Sequence, residues 1–465
     1  MYEQVNPYQK KGTITMYDLC IKKGTIVNDD HKLKANIYVK NGRVDAITAE
    51  EDIPAARTIN AEGRLVLPGF VDPHTHLNDP PGGDVSETFL TGTRSAAAGG
   101  VTTCIEMPLT TPVVATAKAF ADKQAICTPK AVVDFAMFGA CIPGNLSEMD
   151  RMLEYGAAAF KAFTPFSIEI PRLDDASMLK AMEHLGKRDV TLSIHCENAD
   201  MINALTQELQ EQGRVKPSDY EAAHPLISEL EAVQRVALLA YKTGARVHIV
   251  HCSCPEAVDV VEYYRSLGAR LTVETCPHYL TLNEHDVEKW GVYCICNPPI
   301  RKQEVQDELW KRVLAGKIDC IGTDHSAYLH TEKAEGKDNI FKTPAGITAM
   351  QLCYPVFFDE AVNKRGMSLE QFVHMSSTAA AKLYDLYPKK GIIEIGSDAD
   401  LVIFDPAAKW TVENDKLFYL EKWTPLEGRT VTGRVDETIV RGKTVYRDGE
   451  IQMEGGYGQF VAALR

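Results

Sequence analysis

Short apolar runs alternate with amphipathic segments through the middle of the chain, and this alternation limits the possible folds more than any other feature. It extends over residues 69–390, where the apolar run Arg246–Val250, for example, follows an amphipathic segment that ends at Gly244. Apolar runs bounded by turn residues are typical of buried parallel strands, and strands that alternate with helices form βαβ units. Repeated over this length, the pattern predicts an α/β chain with a (β/α)8 barrel of the TIM type.

The sequence also marks the boundaries of two helices and one loop in this region. One helix is predicted to begin at the capping box Ser228–Glu231 and to end at Gly244. Another is predicted to begin at Ser368, with Gln371 in the position that completes the capping pattern. The run Lys333–Lys342 is mostly polar and is predicted to be a loop.

Both ends of the chain carry short strands separated by turns, which predicts a small β-sandwich built from both termini. Asn41-Gly42 joins two of these strands and is a strong hairpin signal, and Gly442-Lys443 is predicted to join two more. Residues 16–68 and 391–465 are therefore the two expected parts of the sandwich, and residues 69–390 are the expected barrel. The predicted terminal strands are Tyr17–Lys22, Ala35–Lys40, Arg43–Thr48, Leu65–Val66, Asp400–Phe404, Glu437–Arg441 and Thr444–Tyr446.

The chain is acidic, with 64 Asp and Glu residues against 50 Lys and Arg residues and a formal net charge of −14. Such a surface repels nucleic acid phosphates and anionic membranes, so neither is an expected partner. No apolar stretch is long enough to span a bilayer, and the polar start of the chain has no signal-peptide core. The twelve cysteines are scattered and several lie inside apolar runs, which predicts reduced core thiols in a cytoplasmic protein.

Two histidines stand one residue apart at the end of the apolar run that leads into Asp72-Pro73-His74-Thr75-His76. Residues i and i+2 of a strand point to the same side, so this spacing aims both imidazoles at one point, as a metal site requires. The alternative is a pair of histidines that cap a turn by hydrogen bonds.

Lys161 lies inside the apolar run Ala157–Phe163, where burial of an ammonium group is costly. One explanation is a lysine that extends to solvent or pairs with a carboxylate. The other is an amine of lowered pKa that reacts with carbon dioxide, giving an anionic carbamate able to bridge two metal ions.

Three further candidates lie at the ends of predicted strands. His195 ends the run Thr191–His195, although alone it is equally compatible with a hydrogen-bonded core histidine. His248 and His251 are three residues apart, so strand alternation lets only one face the barrel interior; we select His251 and expect His248 to contact the helix layer. Asp324 follows the run that begins at Ile318, where the alternative is a helix-capping or loop aspartate.

Together these candidates place four histidines, one lysine and one aspartate at predicted strand ends, which form the active face of such barrels. Nitrogen and oxygen donors of this kind suit two divalent ions, zinc being the first choice. Two ions close together polarise a carbonyl and hold a bridging hydroxide. Asp324 would bind one ion and serve as general base, then as acid toward a leaving nitrogen, so the set predicts hydrolysis of an amide-like bond.

From Tyr17 to its C-terminus the chain resembles the cyclic amidohydrolases of the amidohydrolase superfamily, which include allantoinases, hydantoinases, dihydropyrimidinases and dihydroorotases. The resemblance implies that His74, His76, Lys161, His195, His251 and Asp324 bind two metal ions, with Lys161 carboxylated as the bridge. It also implies a homo-oligomer, a homotetramer or at least a dimer. It is carried by Pro68–His76, Glu106–Leu109, His195–Asn198, Glu274–Tyr279, Asn297–Arg301, Thr323–Ser326 and Gly396–Asp400.

Single positions narrow the choice within this group. Asn78 stands where dihydroorotases have a carboxylate-binding arginine, and Phe166 stands where D-hydantoinases and dihydropyrimidinases have a tyrosine for the oxyanion. Allantoinases also lack that tyrosine. Asn297 replaces a serine common to allantoinases and hydantoinases, and by position it is expected to contact the substrate ring. Pro81-Gly82-Gly83 and Ser86-Glu87-Thr88 lack the arginine and tryptophan usual in allantoinases.

The expected substrate is a small five-membered cyclic ureide. Hydrolysis of allantoin to allantoate, a step of purine catabolism, is the leading prediction, and an L-hydantoinase acting on 5-substituted hydantoins is the alternative. A third possibility, a relative that has lost catalysis and acts as an interaction protein, is disfavoured because all six ligand positions are filled. Allantoinase-like stretches are Thr91–Arg94, Glu106–Leu109 and Phe358–Val362; those closer to L-hydantoinases are Val133–Phe135, Pro143–Leu146 and Gly458–Val461.

Overall fold

A computed structural model describes residues 16–51, 53–79, 87–166 and 170–465 of the protein. Its strands, in chain order, are β1 (Tyr17–Lys22), β2 (Thr25–Val27), β3 (Lys32–Lys34), β4 (Asn36–Lys40), β5 (Arg43–Thr48), β6 (Ala55–Asn60), β7 (Leu65–Pro68), β8 (Phe70–Thr75), β9 (Val101–Glu106), β10 (Asp134–Ala140), β11 (Ala159–Phe163), β12 (Leu192–His195), β13 (Val247–Ile249), β14 (Leu271–Thr275), β15 (Cys320–Ile321), β16 (Leu401–Thr411), β17 (Thr430–Val440), β18 (Lys443–Arg447) and β19 (Glu450–Ile451).

Helices occupy most of the connections between the middle strands. They are α1 (Phe89–Ala98), α2 (Ala117–Cys127), α3 (Leu146–Glu154), α4 (Asp175–Gly186), α5 (Ala199–Glu211), α6 (Tyr220–Ala223), α7 (Leu226–Thr243), α8 (Pro255–Ser266), α9 (Pro277–Thr281), α10 (Glu284–Trp290), α11 (Gln303–Leu314), α12 (His330–Ala334), α13 (Cys353–Phe358), α14 (Leu369–Val373) and α15 (Ala379–Leu383). The π-helical stretches Asp359–Asn363 and His374–Thr378 continue α13 and α14, and 3-10 turns lie at Pro217–Asp219, Gly291–Cys294, Ile340–Lys342 and Asn414–Lys416.

Eight parallel strands, β8 to β15, form one sheet in sequential order. A bridge between Thr75 and His325 brings the two edges of this sheet together. The register aligns Lys161 with Ser193 and Ser193 with His248, so these residues share one row of the sheet. Helices pack outside the strands, and the largest hydrophobic core lies between the two layers. The predicted (β/α)8 barrel is confirmed.

The two remaining sheets form the second structural unit, also as predicted from both termini. One contains β5, β4, β1 and β6, and the other runs β19-β18-β17-β16-β7-β2-β3. The pairing of β7 with β16 aligns Leu67 with Val402 and so joins the two ends of the chain. The apolar run Leu65–Val71 divides at Gly69 into β7 and β8. A Cβ on Gly69 would lie 2.0 Å from Thr102 Oγ1, so only glycine allows the close approach at this division.

Local details correct several predicted boundaries. The Asn41-Gly42 hairpin is confirmed, but the second hairpin turns at Arg441 and Gly442, where φ is +43° and +73°, because Lys443 already pairs in β18. Helix α7 begins after Pro225 rather than at Ser228, which lies in its first turn. The predicted start at Ser368 is confirmed, since its side chain accepts from the Gln371 amide.

The polar run Lys333–Lys342 is only partly a loop. It begins within α12 and ends in the 3-10 turn Ile340–Lys342, and Lys333 is fully buried. The Lys333 ammonium group donates to the carbonyls of Ile295 and Pro344 at 3.2 and 2.8 Å, which explains how a charged residue of a polar run enters the interior.

A buried ionic cluster joins the barrel to the terminal sheets. Lys390 Nζ lies 2.5 Å from Asp134 of β10, 3.0 Å from Asp398 and 2.6 Å from Asp400. Lys390→Met is expected to lower the free energy of unfolding by about 3–5 kcal/mol, because among the described residues it leaves the buried Asp400 without a cation, whereas Asp134 keeps Arg441 and Asp398 keeps Arg43. Urea denaturation measures this loss, with Lys382→Met as the control because Lys382 is an exposed lysine paired with Asp29. A loss below about 1 kcal/mol, the value of a surface pair, would contradict the prediction.

Candidate metal centre

Three predicted ligand atoms meet at the C-terminal end of the barrel. His74 Nε2 lies 3.2 Å from His76 Nε2, and Asp324 Oδ1 lies 3.2 Å from each of these nitrogens. His74 is on β8, His76 follows it directly, and Asp324 follows β15, so the first and last strands of the barrel supply this group. Although burial opposes ionisation of Asp324, the adjacent His74 and His76 hold the pKa of its carboxyl well below the usual range.

Lys161 reaches the same group from β11. Its Nζ lies 3.4 Å from His74 Nε2, and the residue is only 1% exposed, which rules out extension to solvent. Within the described ranges Lys161 makes no ion pair, so the alternative of a carboxylate partner is also not met. Burial lowers the pKa of the Lys161 amine to about 8. The lowered pKa increases the fraction of neutral amine, which is the form that is nucleophilic toward carbon dioxide.

His195 and His251 complete the group. Their ring centroids lie 4.4 Å apart with the rings nearly perpendicular, and the His251 ring lies 5.3 Å from that of His74. Burial, together with the nearby His195 and Lys161, lowers the pKa of His251, so its imidazole is neutral. His251 Nδ1 is buried and, among the described residues, has no hydrogen-bond partner. An unpartnered buried nitrogen with a free lone pair fits a metal ligand.

His248 does not contact the helix layer as expected. It lies in the same row as Lys161, and its Nε2 is 3.1 Å from Glu274 Oε2 inside the barrel. The parity argument fails because β13 ends at Ile249 and His251 has φ of +39°, so strand alternation does not extend from His248 to His251. Both imidazoles therefore face inward.

Two buried glutamates orient the histidines. Glu274 Oε1 lies 2.6 Å from His74 Nδ1, and Glu197 Oε2 lies 2.7 Å from His195 Nε2. Although burial opposes it, His74 and His248 hold the pKa of Glu274 well below its usual range, so the carboxylate is ionised. Carboxylates on the outer nitrogen of a metal-binding histidine fix its tautomer and ring orientation.

Sequence reasoning gave no role to these glutamates. The sequence does contain a signal for Glu274, which is a charged residue inside the apolar strand β14. Lys161 stands out in the same way inside β11, and a buried charge needs a partner in both cases.

The predicted substrate-binding residues differ in their surroundings. Asn297 is half-buried, and Tyr220 Oη donates to its Oδ1 at 2.8 Å. Phe166 is 71% exposed and does not pack into the apolar core. Pro81-Gly82-Gly83 lies outside the described residues, whereas Glu87, at the end of that loop, is buried and its carboxylate accepts from the Leu420 amide.

The donor set fits divalent metal ions. His74, His76 and Asp324 present ligand atoms close to one another, and the buried His251 Nδ1 has no hydrogen-bond partner among the described residues. Nitrogen and oxygen donors of this type match zinc and similar ions.

Comparisons with known proteins identify the family of the chain. The amidohydrolase family model matches residues 65–445. An L-hydantoinase from Paenarthrobacter aurescens is 35% identical over 449 residues, which are 96% of this chain and 98% of that protein. An allantoinase from Salmonella choleraesuis (strain SC-B67) is 37% identical over 457 residues, with the same two coverages. The solved structure of an L-hydantoinase (dihydropyrimidinase) from Arthrobacter aurescens superposes with a TM-score of 0.94 at 35% identity, covering 96% of this chain and 100% of that one.

The chain belongs to the amidohydrolase family, a family of metal-dependent enzymes. It is a cyclic amidohydrolase of the allantoinase and hydantoinase type, which confirms the resemblance found in its motifs. Among the described residues no helix is long and apolar enough to cross a membrane. All twelve cysteines are free and buried, as the sequence predicted.

Proposed function

We propose that the protein hydrolyses the cyclic amide bond of a five-membered ureide ring with two bound divalent metal ions, zinc by preference. The proposed ligands are His74, His76, Lys161, His195, His251 and Asp324. The observation that carries the proposal is the buried Lys161 amine, 3.4 Å from His74 Nε2 and without an ion-pair partner among the described residues.

Carboxylation explains the position of Lys161. The buried ammonium first releases one proton. The neutral amine nitrogen then bonds to the carbon of carbon dioxide and releases a second proton, which leaves a carbamate anion with two oxygen donors. The carbamate would offset the positive charge of the two ions and would supply oxygen donors to both of them as a bridging ligand. Glu274 and Glu197 hold His74 and His195 in the orientation that binding requires.

The bound ions would supply Lewis-acid polarisation of the substrate carbonyl and a water of lowered pKa. Asp324 carries the proton. Its ionised carboxylate accepts a proton from the attacking water and returns it to the ring nitrogen as the C–N bond breaks. The ring nitrogen leaves as a neutral NH2 group that carries this proton, and the new carboxylic acid releases the second proton of the water to solvent as it ionises to a carboxylate.

We propose allantoin as the substrate, opened to allantoate, with 5-substituted hydantoins as the second candidate. Named relatives of both types align over 96% of the chain at 37% and 35% identity. Phe166 cannot supply the hydroxyl of D-hydantoinases, and Asn297 offers an amide where both types have a serine, which favours a polar substrate. We further propose that the protein acts in the cytoplasm, which its twelve free thiols support. A homotetramer is proposed from the family resemblance alone.

Assays with zinc-loaded protein in bicarbonate buffer test this proposal. We expect turnover of allantoin, weaker turnover of 5-substituted hydantoins and none of dihydrouracil. A strong chelator is expected to remove activity, and zinc with bicarbonate to restore it, because both the ions and the carbamate are needed. Metal analysis is expected to find about two ions per chain. A protein that opens no cyclic amide under these conditions would contradict the proposed function.

A further inference from the structure

The amide of Asn297 is fixed by a single hydrogen bond. Tyr220 Oη donates to Asn297 Oδ1 at 2.8 Å, and this is the only hydrogen bond of the Asn297 side chain among the described residues. This hydrogen bond takes one lone pair of the amide oxygen and fixes the direction of the amide plane, while the two N–H donors of Nδ2 have no partner among the described residues. A side chain held in this way presents its N–H donors, and a carbonyl oxygen is the group that accepts from them.

Tyr220 is itself held rigidly. It is 7% exposed, and its ring stacks on His224 at 4.9 Å and on Phe341 at 5.9 Å. Burial raises the pKa of the Tyr220 hydroxyl far above its usual value, so the group remains protonated and able to donate. The donor that orients Asn297 is thus fixed in place and in protonation state.

A series of buried side-chain contacts links Tyr220 to the candidate metal centre. His224 Nδ1 lies 2.8 Å from Glu197 Oε1, and the other oxygen of Glu197 lies 2.7 Å from His195 Nε2. Glu197 and His224 are 1% and 6% exposed. A continuous buried path therefore fixes the Tyr220 ring relative to a proposed metal ligand, and the distance from this ligand to the Asn297 amide is set by packing.

We propose that Tyr220 is a positioning residue for substrate binding, which orients Asn297 so that its Nδ2 donates to a carbonyl oxygen of the cyclic ureide. The inference rests on the proposed function and extends it. It assigns a role to α6, a short helix between β12 and β13 to which sequence reasoning gave no role.

Kinetics of Tyr220→Phe test the inference, because this change removes the hydroxyl and keeps the ring that stacks on His224. On the cyclic ureide that the wild-type protein opens fastest, we expect KM to rise about tenfold and kcat to stay within about twofold. Asn297→Ala is expected to raise KM to a similar extent. If Tyr220 acts through Asn297, the double variant is no worse than Asn297→Ala alone, since the two effects do not add.

Tyr293→Phe is the matched control. Tyr293 belongs to the same apolar cluster, but its hydroxyl bonds to His330 and not to Asn297. Metal content, measured in parallel, is expected to be unchanged in every variant. The inference is overturned if Tyr220→Phe leaves KM at the wild-type value, or if the effects of the two substitutions multiply. A wild-type protein that opens no cyclic ureide overturns the proposed function, and this inference with it.

Discussion

Lys161→Arg is expected to lower kcat/KM by about 10⁴-fold and to leave the protein with fewer than two metal ions per chain. Arginine keeps the positive charge but cannot form the carbamate, so it separates the two explanations for a buried cation. The fully buried Lys161 Nζ lies 3.4 Å from His74 Nε2, and a permanent cation at this position would repel the ions that the histidines bind.

Two measurements distinguish this effect from misfolding. Wild-type protein prepared in ¹³C-bicarbonate is expected to show a carbamate carbon resonance that is absent from Lys161→Arg, while thermal unfolding shows whether the variant is folded. Lys161→Ala with added short-chain carboxylates is the complementary test, since a small carboxylate can enter the space left by the side chain. Full activity and full metal content in Lys161→Arg would show that the amine is not a bridging ligand.

The architecture was predictable because it follows from local patterns. The spacing of apolar residues distinguishes strands from helices in the sequence. The alternation of strands and helices over residues 69–390 is compatible with few folds. The ends of helices and turns were harder to predict where two nearby residues each favoured a different boundary. Ser228 begins a capping-box pattern, but Pro225 precedes it and starts α7 earlier. Gly442 was recognised as a turn residue, yet its partner in the turn is Arg441, because an arginine at positive φ has no sequence signal.

The predicted metal ligands could be proposed from the sequence because each lies within or at the end of an apolar run, whereas Asn297 and Phe166 came only from the family resemblance. The sequence does not show which residues far apart in the chain come into contact in the folded protein. Glu274 and His74 are 200 residues apart, and nothing near either one indicates that they share a hydrogen bond. Positive φ values at His251 and Asp324 are also invisible in the sequence, and the first of these invalidated the parity argument for His248.

The unusual backbone of Asp324 makes one substitution especially informative. Asp324 has φ of +46°, a conformation that asparagine tolerates better than most residues, so Asp324→Asn is expected to preserve the fold. The neutral amide cannot accept the proton of the attacking water, nor return it to the leaving nitrogen. We therefore expect kcat to fall by about 10³- to 10⁴-fold, the usual range for loss of a general acid–base group that also contacts the ions.

Asp189→Asn is the matched control for this substitution. Asp189 also has a left-handed backbone, with φ of +57°, but it is exposed and pairs with Arg270 on the surface. The same chemical change there is expected to leave kcat within about twofold of the wild-type value. Because an amide oxygen still coordinates a divalent ion, Asp324→Asn should retain most of its metal while losing turnover. If Asp324→Asn retains its metal and kcat stays near the wild-type value, another group must transfer the proton. If the variant loses both ions, Asp324 is required as a metal ligand, and the lost turnover is then no evidence that it acts as a base.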